Sequence, residues 1–302
     1  MKKISVSIGT AAYNEEHNIK NMLLSVIDQK ENLVRLKEII VISDGSTDGT
    51  VRMVKSIKDK RIKVINDEKR LGKPARVNML LKTFNADVLV IIDSDMVMKG
   101  KNALENIVKE FINDKTTALV CGDTEPLPAR TFLESAINNY RYARKSLEKE
   151  FCFGNTAYAA HAFLAFSKKF AQIIEIPKGV LNDDAYSYFM CALKGYTYHF
   201  AKNAVVLYRS PSSITDHFNQ STRHLAGGIQ LYDYFGEEFV NSGFTVPKKI
   251  MIKLLFYQLR KNPLGYIFLK ILNLYCDYKS RKASKSLDVR WTAITSSKMS
   301  VI

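Results

Sequence analysis

Five consecutive apolar residues, Val88-Leu89-Val90-Ile91-Ile92, run directly into Asp93-Ser94-Asp95. A strand that is apolar at every position is covered on both faces, as in parallel sheets flanked by helices. Carboxylates at the end of such a strand lie at the carboxyl edge of the sheet, where open α/β folds bind ligands. Two of them one residue apart suit a hard divalent cation that carries substrate phosphates. A solvated Asp-rich turn is the other reading of the same residues, so their neighbours decide.

The preceding segments have the same build. Residues 4–9 alternate as a first strand and run into Thr10-Ala11-Ala12-Tyr13-Asn14-Glu15-Glu16. Asn14 is expected to cap a helix in which Ile19, Met22, Leu23, Val26 and Ile27 recur at helical spacing. Residues 38–43 form a second strand, ending in Asp44-Gly45-Ser46-Thr47-Asp48-Gly49-Thr50. A third, 62–65, precedes Arg70-Leu71-Gly72-Lys73-Pro74-Ala75-Arg76-Val77-Asn78. This β-α-β-α-β-α-β order with short links predicts an α/β, Rossmann-like, mostly parallel sheet with helices on both faces. Asp44 sits at a strand tip before its turn. Lys73 and Arg76, beside Gly72, would neutralise a diphosphate, with a solvated basic loop as the alternative.

Farther along, Leu181-Asn182-Asp183-Asp184 opens an apparent helix that ends at Gly195, and carboxylates suit a helix N-terminus. In Gln220-Ser221-Thr222-Arg223-His224, Gln220 and Arg223 share a helix face. His161 and His217 have no metal-site spacing partner and read as structural or surface groups.

Together, the Ala11–Glu16, Ser43–Thr50, Gly72-Lys73 with Asn78, and Asp93–Asp95 blocks resemble family 2 of the inverting glycosyltransferases, which have the GT-A fold. Asp183-Asp184 is similar to that family's acidic pair, and Gln220–His224 to its Gln-x-x-Arg-Trp motif, with His224 in place of tryptophan. The resemblance covers roughly residues 1–235. It implies a catalytic domain over 1–235, with a nucleotide-sugar half at 1–123 and an acceptor half at 124–235, followed by an extension at 236–302. A UDP-, GDP- or dTDP-linked sugar would be bordered by Ala11, Tyr13, Glu15, Asp44, Lys73 and Asp93, with Asp44 on the nucleobase edge. Mg²⁺ or Mn²⁺ would sit on Asp95 with Asp93. Asp184 would be the general base, and Asp183, Gln220, Arg223 and His224 would bind the acceptor or support the site.

Charge and apolar pattern shape the expectation for the remainder. The chain carries a net +15, and between residues 248 and 285 ten Lys or Arg face one acid, Asp277. Ile250, Met251, Leu254, Leu255, Phe256 and Leu259 mark one amphipathic stretch, and Leu264, Ile267, Phe268, Ile271, Leu272 and Tyr275 a second. Neither reaches the roughly 18 uncharged residues of a membrane span. They predict a basic, amphipathic helical C-terminal extension, either resting on an anionic membrane surface or packed on the catalytic domain. From Ser280 onward loose order is expected, with Trp291 as an anchor. No module with stacking aromatics suggests nucleic acid as a partner. Four scattered cysteines without Cys-x-x-Cys point to a reducing compartment rather than a disulfide or zinc framework. Met1-Lys2-Lys3 opens a short alternating strand that meets Glu15-Glu16, which is not a leader pattern.

The expectation is therefore a cytoplasmic enzyme, peripheral on the inner face of the cell membrane if the extension rests there. It would move single sugars to a glycan or lipid-linked acceptor in cell-envelope synthesis. A sugar-phosphate nucleotidyltransferase would want a Gly-rich, Arg-containing loop after the first strand, and a dinucleotide oxidoreductase Gly-x-Gly-x-x-Gly; neither is present. A non-catalytic membrane-surface scaffold that retains the fold is the third alternative. The carboxylates at 44, 93, 95 and 184 weigh against it.

Overall fold

The computed structural model describes residues 3–148, 150–151 and 163–283. His161, Trp291 and nearly all of the stretch after Ser280 lie outside them.

The first ninety residues form β1 (Ile4–Ala12), α1 (Ile19–Ile27), β2 (Val34–Asp44), α2 (Thr50–Lys55), β3 (Ile62–Asp67), α3 (Lys73–Thr83) and β4 (Val88–Ile92). They pair in parallel as β3-β2-β1-β4. Along β4, Val88, Val90 and Ile92 join a core with α1 and with α4 (Ala103–Asn113), whereas Leu89 and Ile91 join a second core with α3 and with α7 (Asp183–Leu193). Helices on both faces thus account for the unbroken apolar run.

The rest of the sheet comes from β5 (Val97–Met98), β6 (Thr117–Pro126), β7 (Phe163–Ser167) and β8 (Thr197–Tyr208). β7 runs antiparallel between β4 and β6, with Val88 opposite Ser167 and Leu119 opposite Phe166. The order is β3-β2-β1-β4-β7-β6-β8-β5.

The first loop departs from expectation. α1 begins at Ile19 and its N-cap is Asn18, so Asn14 is not the cap. Asn14 instead adopts a positive φ of 53°, a conformation asparagine tolerates better than most residues. From there its Oδ1 accepts from the Thr47 N–H at 2.8 Å, and its own N–H donates to Ser46 Oγ at 3.1 Å. With Glu15 and Glu16, whose N–H groups donate to Thr50 Oγ1 and Asp48 Oδ2, Asn14 clasps the loops after β1 and β2 together.

The remaining helices are α5 (Phe132–Ser146), α6 (Lys168–Ala171), α8 (Ile214–Phe235), α9 (Glu237–Phe244), α10 (Lys248–Lys261) and α11 (Pro263–Ala283). α5 is the platform for the C-terminal pair. Ala143 and Leu147 pack with Ile250 and Leu254 of α10, and Leu133 and Ala136 with Leu269 of α11. Of the stripe read on α11, Phe268 packs against Leu133, Ala136 and Leu269, but most of the rest is not buried. Gly265, Leu269, Cys276 and Ser280 face the protein, while Leu264 (72% exposed), Ile267, Ile271 and Tyr275 face outward. α11 lies against α5 and α8 through this face, and several bulky side chains are left on the open side. α10 behaves similarly, burying Ile250 and Leu254 but exposing Met251 and Phe256. Among the described residues no helix is long and apolar enough to cross a membrane.

Candidate active site

The carboxyl ends of β1, β2 and β4 converge with the N-termini of α3 and α7 and the middle of α8. Gly72 initiates α3 with φ 90° and ψ 159°, backbone that favours glycine, and so delivers Lys73 as the first helical residue. The Lys73 Nζ donates to Asp93 Oδ1 at 3.0 Å and lies 3.5 Å from Asp183 and 3.7 Å from Asp184. One ammonium therefore joins the tip of β4 to the start of α7. Burial works against its charge, but Asp183, Asp184 and Asp93 outweigh that and hold it well above the usual lysine range.

α7 is capped by Asn182, whose Oδ1 accepts from the Ala185 N–H at 3.1 Å. Asp183 and Asp184 follow in its first turn. Burial first, opposed by Lys73 and reinforced by Asp183 and Asp93, pushes the Asp184 carboxyl up to about 7. Arg223 enters from α8 and feels Asp183, Asp93, Asp184 and Asp95; burial pulls its guanidinium below the usual arginine range. His224 follows on α8 and is solvent-exposed, though closely surrounded by protein. Desolvation there, with the Arg223 and Lys73 charges, holds its imidazole below the usual range and uncharged at neutral pH. Gln220 is half-buried one turn before Arg223.

A close helix contact sets this arrangement. A Cβ on Gly227 of α8 would come within 3.0 Å of the Asn182 Cβ and 3.2 Å of the Leu181 Cβ. Glycine there lets α8 press against the cap that presents the two aspartates.

Asp44 is more committed than its position at a strand tip suggests. Its carboxylate is buried and accepts from Leu71 N–H at 2.8 Å, Gly72 N–H at 2.9 Å and Arg76 Nε at 2.6 Å. Arg76 is fully buried, also donates to Asp67 Oδ2 at 2.8 Å, and is therefore not available to a diphosphate. The pair shapes the loop that carries Lys73. Glu15 is likewise turned inward, accepting from Asn18 Nδ2 at 2.9 Å while its N–H donates to Thr50 Oγ1. The Ala11 carbonyl accepts from Ser94 Oγ at 3.3 Å, fixing the tip of β1 beside Asp93 and Asp95.

Two pairings at this site were not foreseen. Arg70 stacks its guanidinium 3.7 Å over the Tyr13 ring, a cation–π pair that walls the β1 side of the cleft. Asn78, one and a half turns into α3, donates to the Ile176 carbonyl at 2.7 Å and accepts from its N–H at 2.9 Å. It clamps the segment leading to α7 against the helix that carries Lys73. Both pairings join residues remote in sequence, so spacing carried no signal of either.

Asp93 and Asp95 are half-buried oxygen donors, and among the described residues no group of three His, Cys, Asp or Glu side chains assembles a closed metal site. That suits Mg²⁺ or Mn²⁺, which take one or two carboxylates and complete their shell with phosphate oxygens and water.

The profile described as "Glycosyl transferase family 2" matches residues 7–173, more than half of the chain. An O-antigen chain rhamnosyltransferase of Salmonella typhimurium is 26% identical over 63% of this chain and 63% of its own length. A poly-beta-1,6-N-acetyl-D-glucosamine synthase of Staphylococcus aureus is 22% identical over 74% of this chain and 55% of its own. The match thus spans less than two thirds of either relative. A mannosyltransferase from Pyrobaculum calidifontis, solved with GDP-Man and Mn²⁺, superposes with a TM-score of 0.61 at 19% identity, covering 95% of this chain and 77% of that one. The fold is GT-A.

Proposed function

The chain belongs to glycosyl transferase family 2, and from that premise we propose that it moves a sugar from a nucleoside diphosphate donor to an acceptor hydroxyl in one inverting displacement. The observation that carries this reading is Asp184, a carboxyl pushed up to about 7 at the start of a helix that faces Lys73 and Asp93. A base works best when its pKa lies near the working pH. Asp184 takes the proton of the acceptor hydroxyl as that oxygen attacks the anomeric carbon from the face opposite the diphosphate.

Tyr13, braced by Arg70, borders the nucleobase, and Ala11 and Glu15 fix the strand tip beside it. Asp44 serves the same pocket by ordering the loop before Lys73. Lys73 and Arg223 supply positive charge where the diphosphate departs. Asp183, Gln220 and the uncharged His224 line the acceptor side. Asp95 and Asp93 would hold Mg²⁺ or Mn²⁺, which offsets the charge that develops on the leaving group. UDP-, GDP- and dTDP-sugars all fit this chemistry. The exposed apolar side chains of α10 and α11 among their Lys and Arg support work at the cytoplasmic surface of a membrane, on a glycan or lipid-linked acceptor of the cell envelope.

Calorimetry with UDP, GDP and dTDP in Mn²⁺, Mg²⁺ and chelator tests the reading. One nucleotide is expected to bind in metal, and Asp95→Ala to weaken it at least roughly tenfold. No binding of any of the three in either metal would remove the proposal. A second expectation concerns Gly227. Alanine there gains up to about 1 kcal/mol of helix propensity, which strain at the Asn182 cap of similar worth offsets, so the unfolding midpoint should change little. Its methyl nevertheless displaces the Asn182 cap, and turnover should fall roughly three- to tenfold. Unchanged turnover would show that the α7 cap absorbs the shift.

A further inference from the structure

A cavity of about 390 Å³ lies between α5, α8, α10 and α11, apart from the carboxylate cluster. Its wall is mostly apolar and includes Ile137, Leu254, Leu255 and Leu269. Size and lining are those of a site for a small organic ligand. Polar groups at the wall come from Tyr140, His217, Gln258, Tyr266, Lys270 and Asn273. His217 is buried, with a ring nitrogen 3.0 Å from Asn273 Oδ1, and desolvation holds its imidazole below the usual range, so that pair is neutral at physiological pH. Lys270 lines the cavity and reaches solvent, which puts a positive charge at the opening. Met251 also lines it and is 58% exposed, so the mouth runs onto the outward apolar face of α10 and α11.

The cavity also has a fixed relation to the reaction centre. His217 and His224 are seven residues apart on α8, which places them on one helix face about 10 Å apart. A ligand seated at His217 has to extend about 10 Å along α8 to reach the level of His224.

We infer that this cavity holds the hydrocarbon chain of a lipid-linked acceptor. Its anionic linkage lies near Lys270 and its sugar end is directed along α8 to the reaction centre. A largely apolar cavity with a cationic rim, opening beside exposed apolar side chains, matches an amphiphile that arrives from a bilayer. The inference rests on the transferase reading only for the word acceptor; the chain-binding site stands on the cavity itself.

The test uses the full chain and n-dodecyl phosphate below its micelle concentration, with n-butyl phosphate as the short-chain control. Calorimetry on the wild type is expected to show binding of the long chain and at least tenfold weaker binding of the short one. Leu255→Trp fills the cavity from a half-buried position, and Met251→Trp fills its mouth from an exposed one. Each should weaken dodecyl phosphate at least tenfold without changing metal-dependent nucleotide binding. Equal affinity for the two alkyl phosphates, or undiminished dodecyl binding in both variants, overturns the proposal. Phosphatidylglycerol vesicles separate the sources. If the variants lose vesicle sedimentation yet still bind dodecyl phosphate, the face contacts bulk lipid and the acceptor site is rejected. A wild-type dimer that Met251→Trp dissociates would give the mouth to a second copy and equally overturn it. Loss of nucleotide binding in every protein would instead strike the transferase reading and leave the chain-binding result readable.

Discussion

Asp184→Asn should lower sugar transfer by about a hundred- to ten-thousand-fold, the range by which a positioned base accelerates proton transfer. Nucleotide binding should survive, because Lys73 keeps Asp93 and Asp183 as partners and the amide preserves the shape of the side chain. The pH profile separates a base from a merely structural residue. With the Asp184 carboxyl at about 7, wild-type kcat/KM should rise roughly tenfold per pH unit below that point and level off above it. The variant should lose that limb. Stability should move in the opposite sense. A carboxyl raised above its unfolded value of 3.8 binds its proton in the folded state where the unfolded chain has released it. Unfolding free energy therefore falls as pH climbs from about 4 to about 7, and the slope disappears in Asp184→Asn. A variant that keeps a tenth of wild-type turnover would take the base role from Asp184.

The largest effect on stability is expected at Arg76. Replacement by Met keeps the apolar stem but leaves the buried Asp44 carboxylate without its guanidinium, and breaking a buried pair by removing one partner costs about 3–5 kcal/mol. Urea unfolding should report a loss of that size. Nucleotide affinity should weaken as well, since Asp44 and Arg76 together set the loop that carries Arg70 and Lys73. A loss under about 1 kcal/mol would mean that Asp44 finds water or another donor.

The two largest effects thus fall on one residue whose role the sequence suggested and one whose role it concealed. Val88–Ile92 announced itself because a strand buried on both faces needs apolar residues at every position, and Asp93 and Asp95 followed from its end. The Asp183-Asp184 helix start was legible from helical periodicity and from the preference of carboxylates for that end. Arg76 read as a phosphate ligand because glycine and two cations in a loop look alike whether they face solvent or a buried aspartate. Only the packing of β2 against β3 and α3 brings Asp44 and Asp67 to it. β7 was unreadable for a related reason, since five residues that pair across the sheet with β4 and β6 carry no local mark of their neighbours. On α11 the hydrophobic pattern named a stripe of which Phe268 packs inward but Leu264, Ile267, Ile271 and Tyr275 stay exposed. Leu269, Cys276 and Ser280 take the buried face against α5 and α8, and nothing in the local apolar spacing marks that choice.

The position of β7 also bears on how the chain is made. β4 is apolar throughout, and one of its two edges is closed by β7, whose residues are translated about seventy positions later. At roughly 5–20 residues per second the ribosome leaves that edge open for about 4–14 s on every nascent chain. An unpaired apolar strand edge is a template for association with other chains. For this protein, then, the hazard of aggregation is concentrated in an interval of synthesis, and slow codons between β4 and β7 would lengthen it without altering a single residue of the finished molecule.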